Sequence, residues 1–391
     1  MSETSGLHPT AEQASFREAV RRLSREMIAP GYLERSKSPE FPWTEYRRLA
    51  DLGVLSLLVP EEWGGPEAPD YVAAGIAVEE IAYADFNVAN AVIPPLLIAT
   101  ILAEHAAPAV RERWLPPVVS GKQFVALGLT EPETGSDAGN LRCAARRVDG
   151  GWVLNGEKTA MTGLPHADAA VLFARTSGPG FAGVSAFFVD IDAPGVSRTY
   201  FDDTGWVPLG RGSLALSDVE VGDEAMIGAE GQGFRTVMAG FDFTRPLLAL
   251  TGIGAAQAAI DEAAAYVAER GAFGSPLSRF EGVSFPLAEH ATRLTAARLL
   301  CYDALTRRNL GQPHTALAAM CKWLGPEASF RAAHDCLLLF GHYGYASDNP
   351  MEQRLRDILA VEIADGTAQI QKIIIARELF GRDFVPYGNR R

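Results

Sequence analysis

The stretch "VEIADGTAQIQKIIIAREL", residues 361–379, decides how the C-terminal part of the chain is interpreted. Apolar residues after Gly366 recur at helical spacing, so we predict a helix that begins at or just after this glycine, capped by the hydroxyl group of Thr367. Asp365 then lies on the turn before a helix N-terminus. Its carboxylate has two explanations that this stretch leaves open: a capping charge, which such a position favours electrostatically, or a base held for chemistry.

The composition limits the class of protein and of partner. The chain has 391 residues, 48% of them hydrophobic, which suits a globular protein of two or three domains. A net charge of −13 without a basic segment argues against binding to nucleic acid. The N-terminus lacks the basic-then-apolar order of a signal peptide, and the four cysteines form no Cys-x-x-Cys pair. We therefore expect a reduced, cytoplasmic protein without disulfides or structural zinc.

Residue patterning divides the chain into three parts. Residues 1–121 show apolar positions at three-to-four spacing and predict an N-terminal helical domain. Within it, residues 87–105 come closest to a membrane span, but two prolines and flanking acids favour a buried helix, so no membrane insertion is expected. Short β-rich runs separated by Gly, Asp, Asn and Pro predict a β-domain over residues 122–228. Helical patterning returns over residues 229–391.

Five stretches carry polar residues that could serve chemistry, although each also has an ordinary structural explanation. They are LGLTEPETGSDAG (127–139), NGEKTAMTG (155–163), FDFTRPLLA (241–249), RGAFGSPLSRFEGVSF (270–285) and LLLFGHYGYASDNPMEQRLRD (337–357). Alone they indicate a polar β-turn, a hairpin turn at Asn155–Gly156, a surface ion pair between Asp242 and Arg245, a Gly/Pro connection, and a helix ended by glycines. The histidines are isolated, so no metal site is predicted.

The order of these stretches is more specific than any one of them. PEEWGG, LTEPETGSD, NGEKTAMTG, GAEGQGF, FDFTRP, ERGAFGSPL, FGHYGY and DGTAQIQ follow one another with the spacing of the acyl-CoA dehydrogenase family, from about residue 15 to residue 380. The resemblance implies a mainly α-helical fold with an N-terminal helical domain, a middle β-barrel domain and a C-terminal four-helix bundle. It also implies FAD bound between barrel and bundle, in a homotetramer or homodimer.

The resemblance also implies which residues contact FAD. Thr130 and Ser136 resemble contacts to the flavin ring and the pyrophosphate, and Met161 and Thr162 resemble the strand that passes the reactive flavin nitrogen. The full set is Leu127, Leu129, Thr130, Gly135, Ser136, Met161, Thr162, Arg270, Phe273, Glu281, Leu338, Gly341, Thr367 and Gln369.

Part of this set resembles residues that reach the other half of the cofactor. Arg270 and Phe273 are similar to the segment that contacts pyrophosphate and adenine in a neighbouring subunit. A guanidinium group suits that place because it matches pyrophosphate oxygens in a fixed fork. Gly341 lies in the glycine turn that approaches the same half, and Thr367 and Gln369 resemble the pair that fixes the adenosine end.

The activity implied by the resemblance is the dehydrogenation of an acyl thioester. Asp365 would remove the α-proton while the flavin accepts the β-hydride, which gives a trans-2-enoyl thioester. Asp242 and Arg245 would line the acyl and pantetheine channel, and Ser136 and Gly366 would also contact the substrate. The implied partners are an acyl-CoA or acyl-carrier-protein substrate and an electron-transfer flavoprotein or similar acceptor.

Five positions depart from the family pattern. They are Ala160 for a tryptophan, Glu281 and Leu338 for glutamines, His342 for a glycine, and Asp365 for the glutamate that acts as base. A carboxylate at Glu281 should disfavour a nearby pyrophosphate unless it is paired or protonated. Some family members carry their base on the substrate-channel helix instead, at the position of Thr244, which cannot serve. We therefore predict Asp365 as the base.

Two other functions remain open at this point. One is a flavin oxidase or monooxygenase on the same fold, resembling nitroalkane oxidase, which also uses an aspartate as base. The other is a homologue without flavin that serves as a binding protein. Slow reaction with oxygen would distinguish a dehydrogenase from the first, and a yellow purified protein would argue against the second.

Overall fold

The computed structural model describes residues 9–381, in which helices precede and follow one large sheet. The first helix starts with a capping box: the Thr10 side chain accepts from the Gln13 amide, and the Gln13 side chain accepts from the Thr10 amide. The N-terminal helices are α1 (Ala11–Leu23), α2 (Tyr32–Arg35), α3 (Trp43–Asp51), α4 (Tyr71–Ala84), α5 (Phe86–His105) and α6 (Pro108–Val119).

Helices α4 and α5 form the interior of this part. Asp85 starts α5, because its carboxylate accepts from the amides of Asn87 and Val88. Helix α5 is long and apolar enough to cross a membrane, but 89% of its most apolar window is buried inside the protein. It packs as an interior helix, which agrees with the expectation for residues 87–105.

The middle of the chain forms a sheet that begins with a short parallel strand. The strands are β1 (Val125–Gly128), β2 (Ala144–Val148), β3 (Gly151–Thr162), β4 (Ala169–Arg175), β5 (Val184–Asp190), β6 (Val196–Tyr200), β7 (Arg211–Gly222) and β8 (Met226–Ile227). Their hydrogen-bonded order is β6-β7-β3-β2-β4-β5-β8, and β1 pairs in parallel with β4. The long antiparallel pair of β3 and β7 contains two shifts in register, one between Leu154 and Gly156 and one between Lys158 and Met161.

The hairpin turn predicted at Asn155–Gly156 is wrong. The chain reverses between β2 and β3 instead, and Asn155 and Gly156 lie inside β3. Gly156 has a φ of 139° at a shift in register, and an added Cβ would lie 2.7 Å from the Cα of Cys143. A β-bulge that admits another backbone this closely requires glycine, which explains why the local sequence resembles a turn.

The C-terminal part is built from long helices. Helix α7 (Gly233–Glu269) is followed by a small hairpin of β9 (Gly271–Ala272) and β10 (Ser275–Pro276), so residues 270–285 are more than a plain connection. The remaining helices are α8 (Glu281–Asn309), α9 (Thr315–Leu339), α10 (Pro350–Ile363) and α11 (Ala368–Phe380). The predicted arrangement of helices, sheet and helices is confirmed.

One buried carboxylate joins the three parts. Asp357, on α10, is 2% exposed and accepts from the side chains of Asn87 at 2.9 Å and Gln353 at 3.2 Å. It also accepts from the backbone amide of Trp206 at 2.8 Å, and the Trp206 indole donates to its carbonyl oxygen. Burial raises the pKa of Asp357 to about 6, although these hydrogen bonds oppose the shift.

Asp357→Asn should change how stability depends on pH. Because the pKa of Asp357 is higher in the folded than in the unfolded chain, its favourable contribution is complete below about pH 4. That contribution is lost as the pH rises through about 6. A neutral asparagine has no such loss, so urea denaturation should show that the variant gains about 3 kcal/mol of stability relative to the parent between acidic and neutral pH. A constant difference between the two proteins would contradict this assignment.

Candidate active site

Asp365 lies on a strained turn between two helices. Helix α10 ends at Ile363, helix α11 begins at Ala368, and the two residues between them with positive φ are Asp365 at 50° and Gly366 at 97°. The left-handed region is uncommon for residues other than glycine, and aspartate is among those that tolerate it best. The predicted helix start is therefore correct, and Asp365 has a backbone conformation that surrounding contacts must maintain.

Side chains from neighbouring helices maintain this turn. Gln371 donates from Nε2 to the carbonyl oxygens of Asp365 at 3.0 Å and Gly366 at 2.9 Å. Thr367 is the N-cap residue of α11, but its side chain makes no capping hydrogen bond, so that prediction is wrong. The turn is held from its carbonyl side by Gln371, a buried residue that local sequence patterns did not indicate.

The Asp365 carboxylate is directed towards helix α7. Thr244 Oγ1 donates to Asp365 Oδ2 at 2.9 Å, so the residue at the alternative base position supports Asp365 instead. Burial raises the pKa of Asp365, and the hydrogen bond from Thr244 and the charges of Lys322 and Arg245 offset only part of that shift. A carboxylate with a raised pKa is a stronger base once ionised, which suits proton abstraction better than helix capping.

Asp242 and Arg245 do not form a surface ion pair. Arg245 is 4% exposed, and its Nη1 donates to Asp242 Oδ1 at 2.9 Å. Asp242 Oδ2 accepts from Thr315 at 2.6 Å, which fixes the pair between α7 and the start of α9. The pair thus belongs to the surroundings of Asp365, while its contact with a substrate stays a prediction.

A second buried pair ties the two β-domain motifs together. Lys158 and Glu131 are 0% and 6% exposed, and Lys158 Nζ donates to Glu131 Oε1 at 2.7 Å. Burial acts to raise the pKa of Glu131, but the bonds from Lys158 and from the amides of Arg142 and Cys143 hold it below its usual range. The Thr159 amide donates to the Thr130 carbonyl at 2.8 Å. Neither member of the pair was predicted, although both lie within the quoted motifs.

The loop after β1 and the neighbouring part of β3 offer accessible hydroxyl and amide groups for FAD. Ser136 is exposed, and Thr130 and Thr162 are partly buried. An added Cβ on Gly135 would meet no atom within 4 Å, so the backbone there is open to a ligand. Ala160 adopts a φ of 54° where the pairing of β3 with β7 shifts register. This donor set fits the flavin and phosphate groups of FAD.

Apart from Thr367, which is partly buried at the start of α11, the remaining residues predicted for FAD fall into two groups. Leu129 and Met161 are buried and Leu127 partly so, which leaves mainly their backbone for contact with a cofactor. The exposed residues are Arg270, Phe273, Glu281, Leu338, Gly341 and Gln369. Phe273 is 97% exposed with a φ of 52°, on the hairpin that follows α7. Within residues 9–381, hydrogen bonds unite Asp365, Gly366, Asp242 and Arg245 in one cluster with Thr244, and they do not connect the exposed group to it.

Lys158→Met should destabilise the middle domain strongly. Removing one partner leaves the Glu131 carboxylate buried and unpaired, which costs about 3–5 kcal/mol in typical cases. Chemical denaturation should show a loss of this order, together with weaker retention of FAD by the loop. The matched control is Arg147→Met, because Arg147 forms an exposed ion pair with Asp223 and its loss should cost at most about 1 kcal/mol. Equal losses in both variants would contradict a structural role for the buried pair.

Three family models match the chain in succession. "Acyl-CoA dehydrogenase, N-terminal domain" matches residues 10–122, the middle-domain model matches residues 126–219, and the C-terminal-domain model matches residues 231–380. An acyl-CoA dehydrogenase of Bacillus subtilis (strain 168) is 34% identical over 382 residues, which cover 96% of this chain and all of that protein.

Similarity in sequence is matched by similarity in structure. The mitochondrial short-chain specific acyl-CoA dehydrogenase of Homo sapiens is 33% identical over 366 residues, 93% of this chain and 88% of that protein. The structure of butyryl-CoA dehydrogenase from Megasphaera elsdenii superposes with a TM-score of 0.91 at 31% identity, covering 95% of this chain and 99% of that one. The chain therefore belongs to the acyl-CoA dehydrogenase family, whose members are FAD-dependent oxidoreductases.

Proposed function

We propose that the protein catalyses the α,β-dehydrogenation of an acyl thioester, with Asp365 as the base that removes the α-proton. The observation that carries this proposal is the hydrogen bond from Thr244 to Asp365 on a strained turn. Thr244, at the alternative base position, therefore acts as a hydrogen-bond donor to the Asp365 carboxylate. Strain at a single residue that several side chains maintain is typical of a functional position.

The proton transfer assigns a distinct task to each residue of this cluster. Asp365 Oδ1 or Oδ2 accepts the α-proton and becomes a neutral carboxylic acid, while Thr244 and Gln371 keep the carboxyl group and its turn in place. Bound FAD supplies the acceptor for the β-hydride, so the product is a trans-2-enoyl thioester. Arg245, held by Asp242, orients the thioester arm beside the base.

For the acyl substrate and the electron acceptor, we propose classes of molecule and no single compound or protein. The relatives named for short-chain acyl-CoA and butyryl-CoA favour a short acyl group carried by CoA, with an acyl-carrier protein as the second possibility. An electron-transfer flavoprotein or a similar protein would take the electrons, as the family resemblance implies. The proposed location of the protein is the cytoplasm.

The assembly is proposed as a homotetramer or homodimer with FAD sites shared between subunits. The C-terminal part supports this, because it exposes several large apolar side chains, among them Phe273 at 97%, Leu338 at 59% and Phe285 at 58%, which contacts between subunits would bury. Arg270 adjoins Phe273 and would reach the FAD of a neighbouring subunit. The domain limits at residues 121 and 228 also stay proposals.

Asp365→Asn should abolish reduction of the flavin by a good substrate while FAD still binds. General base catalysis contributes on the order of 10²–10⁴ in rate, so anaerobic mixing with butyryl-CoA should show flavin bleaching slowed by at least that factor. Asp365→Glu should retain partial activity, because the longer side chain displaces the carboxylate. Bleaching of Asp365→Asn at the parent rate would refute the proposal. Rapid reoxidation of the reduced parent by oxygen would favour an oxidase instead.

Arg270→Ala should weaken FAD retention without unfolding the protein. Loss of a charge-assisted contact to pyrophosphate should raise the Kd for FAD about tenfold or more, which gel filtration and flavin absorbance can measure together. Arg279→Ala is the matched control, since Arg279 is an exposed arginine on the short 3-10 helix Leu277–Arg279 that follows the hairpin. A flavin-replete monomer would contradict the shared site.

A further inference from the structure

Lys322 is a buried cation next to the proposed base. It is one of five lysines in the chain, and on helix α9 it is 1% exposed. Its Nζ donates to the carbonyl oxygens of Val361 at 2.5 Å and Gly366 at 3.4 Å. Burying an ammonium group is costly unless hydrogen bonds and nearby charges compensate for the loss of water. A buried lysine next to the proposed base therefore suggests a functional role.

The two carbonyl groups that Lys322 contacts stand on either side of Asp365. Val361 lies in the last turn of α10, where carbonyl groups lack an intrahelical partner and carry the negative end of the helix dipole. Gly366 is the second left-handed residue of the turn. One ammonium group therefore connects the end of α10 to the segment that starts α11, across the residue that carries the carboxylate.

Other charged groups around Asp365 come from every helix packed against it. Helix α7 contributes Arg245, whose charge is shared with Asp242, and the neutral donor Thr244. Helix α10 contributes Glu362, which acts on Lys322, and helix α11 contributes Arg377, which acts on Arg245. The hydrogen-bond partners of Lys322 are carbonyl oxygens, so its charge is not bound to a carboxylate of its own.

We propose that Lys322 is a positioning residue for the base: its ammonium group fixes the turn through Val361 and Gly366 and places a positive charge beside the Asp365 carboxylate. This inference rests on the proposed role of Asp365. Fixing the turn sets the reach of a short side chain to the substrate, where about 1 Å can change the rate on the order of a hundredfold. The charge keeps the carboxylate in its ionised, proton-accepting form.

The two groups should influence each other in opposite directions. Burial lowers the pKa of Lys322 to about 8, while the charge of Asp365 acts to raise it. Conversely, the charge of Lys322 acts to lower the pKa of Asp365, against its burial. Removing either charge should therefore shift the titration of the other group, which a purely structural lysine would not do.

The first test compares Lys322→Met, Lys322→Gln and the parent holoenzyme. Stopped-flow flavin reduction by butyryl-CoA is measured from acidic to neutral pH, with FAD content and thermal unfolding recorded for each protein. Without the cation, the acidic limb of the pH–rate profile should move up by about one pH unit, and the rate at neutral pH should fall at least tenfold. Lys372→Met is the matched control, since Lys372 stacks on Trp323 of the same helix from the exposed side.

The pH–rate profiles of the Lys322 variants either support or overturn the proposed role of Lys322. A Lys322→Met enzyme with an unmoved acidic limb overturns the proposal, whether or not its rate falls. An upward shift in both Lys322 variants but not in Lys372→Met supports it. If none of the acyl thioesters tested reduces the flavin of the parent, or if Asp365→Asn is unimpaired, the proposed function fails instead.

The second test needs no activity and no Lys322→Met protein. In protein labelled with [ε-¹³C]lysine, five signals are expected, and that of Lys322 is assigned by its loss in Lys322→Arg. Its titration is followed by NMR in the parent and in Asp365→Asn. The proposal expects a lower pKa for Lys322 in Asp365→Asn, because the neighbouring negative charge is gone. An unchanged titration overturns the coupling even if the pH–rate test cannot be carried out.

Discussion

The left-handed backbone at Asp365 is the constraint on which the rest of the site depends. A non-glycine residue in this region is destabilised on the order of 1 kcal/mol or more, so the contacts around it must define a single conformation. Gln371 holds the carbonyl groups of the turn, and Thr244 holds the carboxylate. The long helices of the C-terminal part matter for function mainly because they bring these side chains to one turn.

Burial and charge compensation are balanced differently at two buried sites of this protein. Glu131 and Lys158 compensate each other directly, and their pair fixes a loop to a strand. Asp365 is treated differently, since a fully compensated carboxylate would be a poor base. Burial raises its pKa, and nearby positive charges reduce that rise without cancelling it. The balance leaves the pKa of Asp365 above its usual value, and a carboxylate with a raised pKa accepts a proton more readily.

Local sequence patterns were sufficient for the arrangement of helices, sheet and helices, and for the helix start after Gly366. These patterns are misleading where the same short run of residue types can form two different local structures. Asn155–Gly156 has the residues of a hairpin turn and forms a bulge, because a neighbouring strand approaches too closely for a side chain. Arg245 and Asp242 have the spacing of a surface pair, yet the pair is covered by other helices.

Residues that act through long-range contacts were outside the reach of such patterns. Lys158 meets a residue 27 positions earlier in the chain, and Lys322 meets one 44 positions later. Gln371 reaches back only as far as Asp365, but which of the polar residues on α11 faces the turn depends on how that helix is packed. These partners follow from tertiary structure, since each side chain alone is an ordinary polar residue on a helix or strand.

The central claim is that Asp365 removes the α-proton, and exchange of that proton tests it most directly. Butyryl-CoA is incubated anaerobically in D₂O with FAD-loaded parent or Asp365→Asn protein, and NMR follows loss of the α-hydrogen signal. The account predicts deuterium incorporation by the parent and a rate lower by a factor on the order of 10²–10⁴ in Asp365→Asn, at equal FAD content. Equal exchange by both proteins would contradict it and would assign the base to another residue.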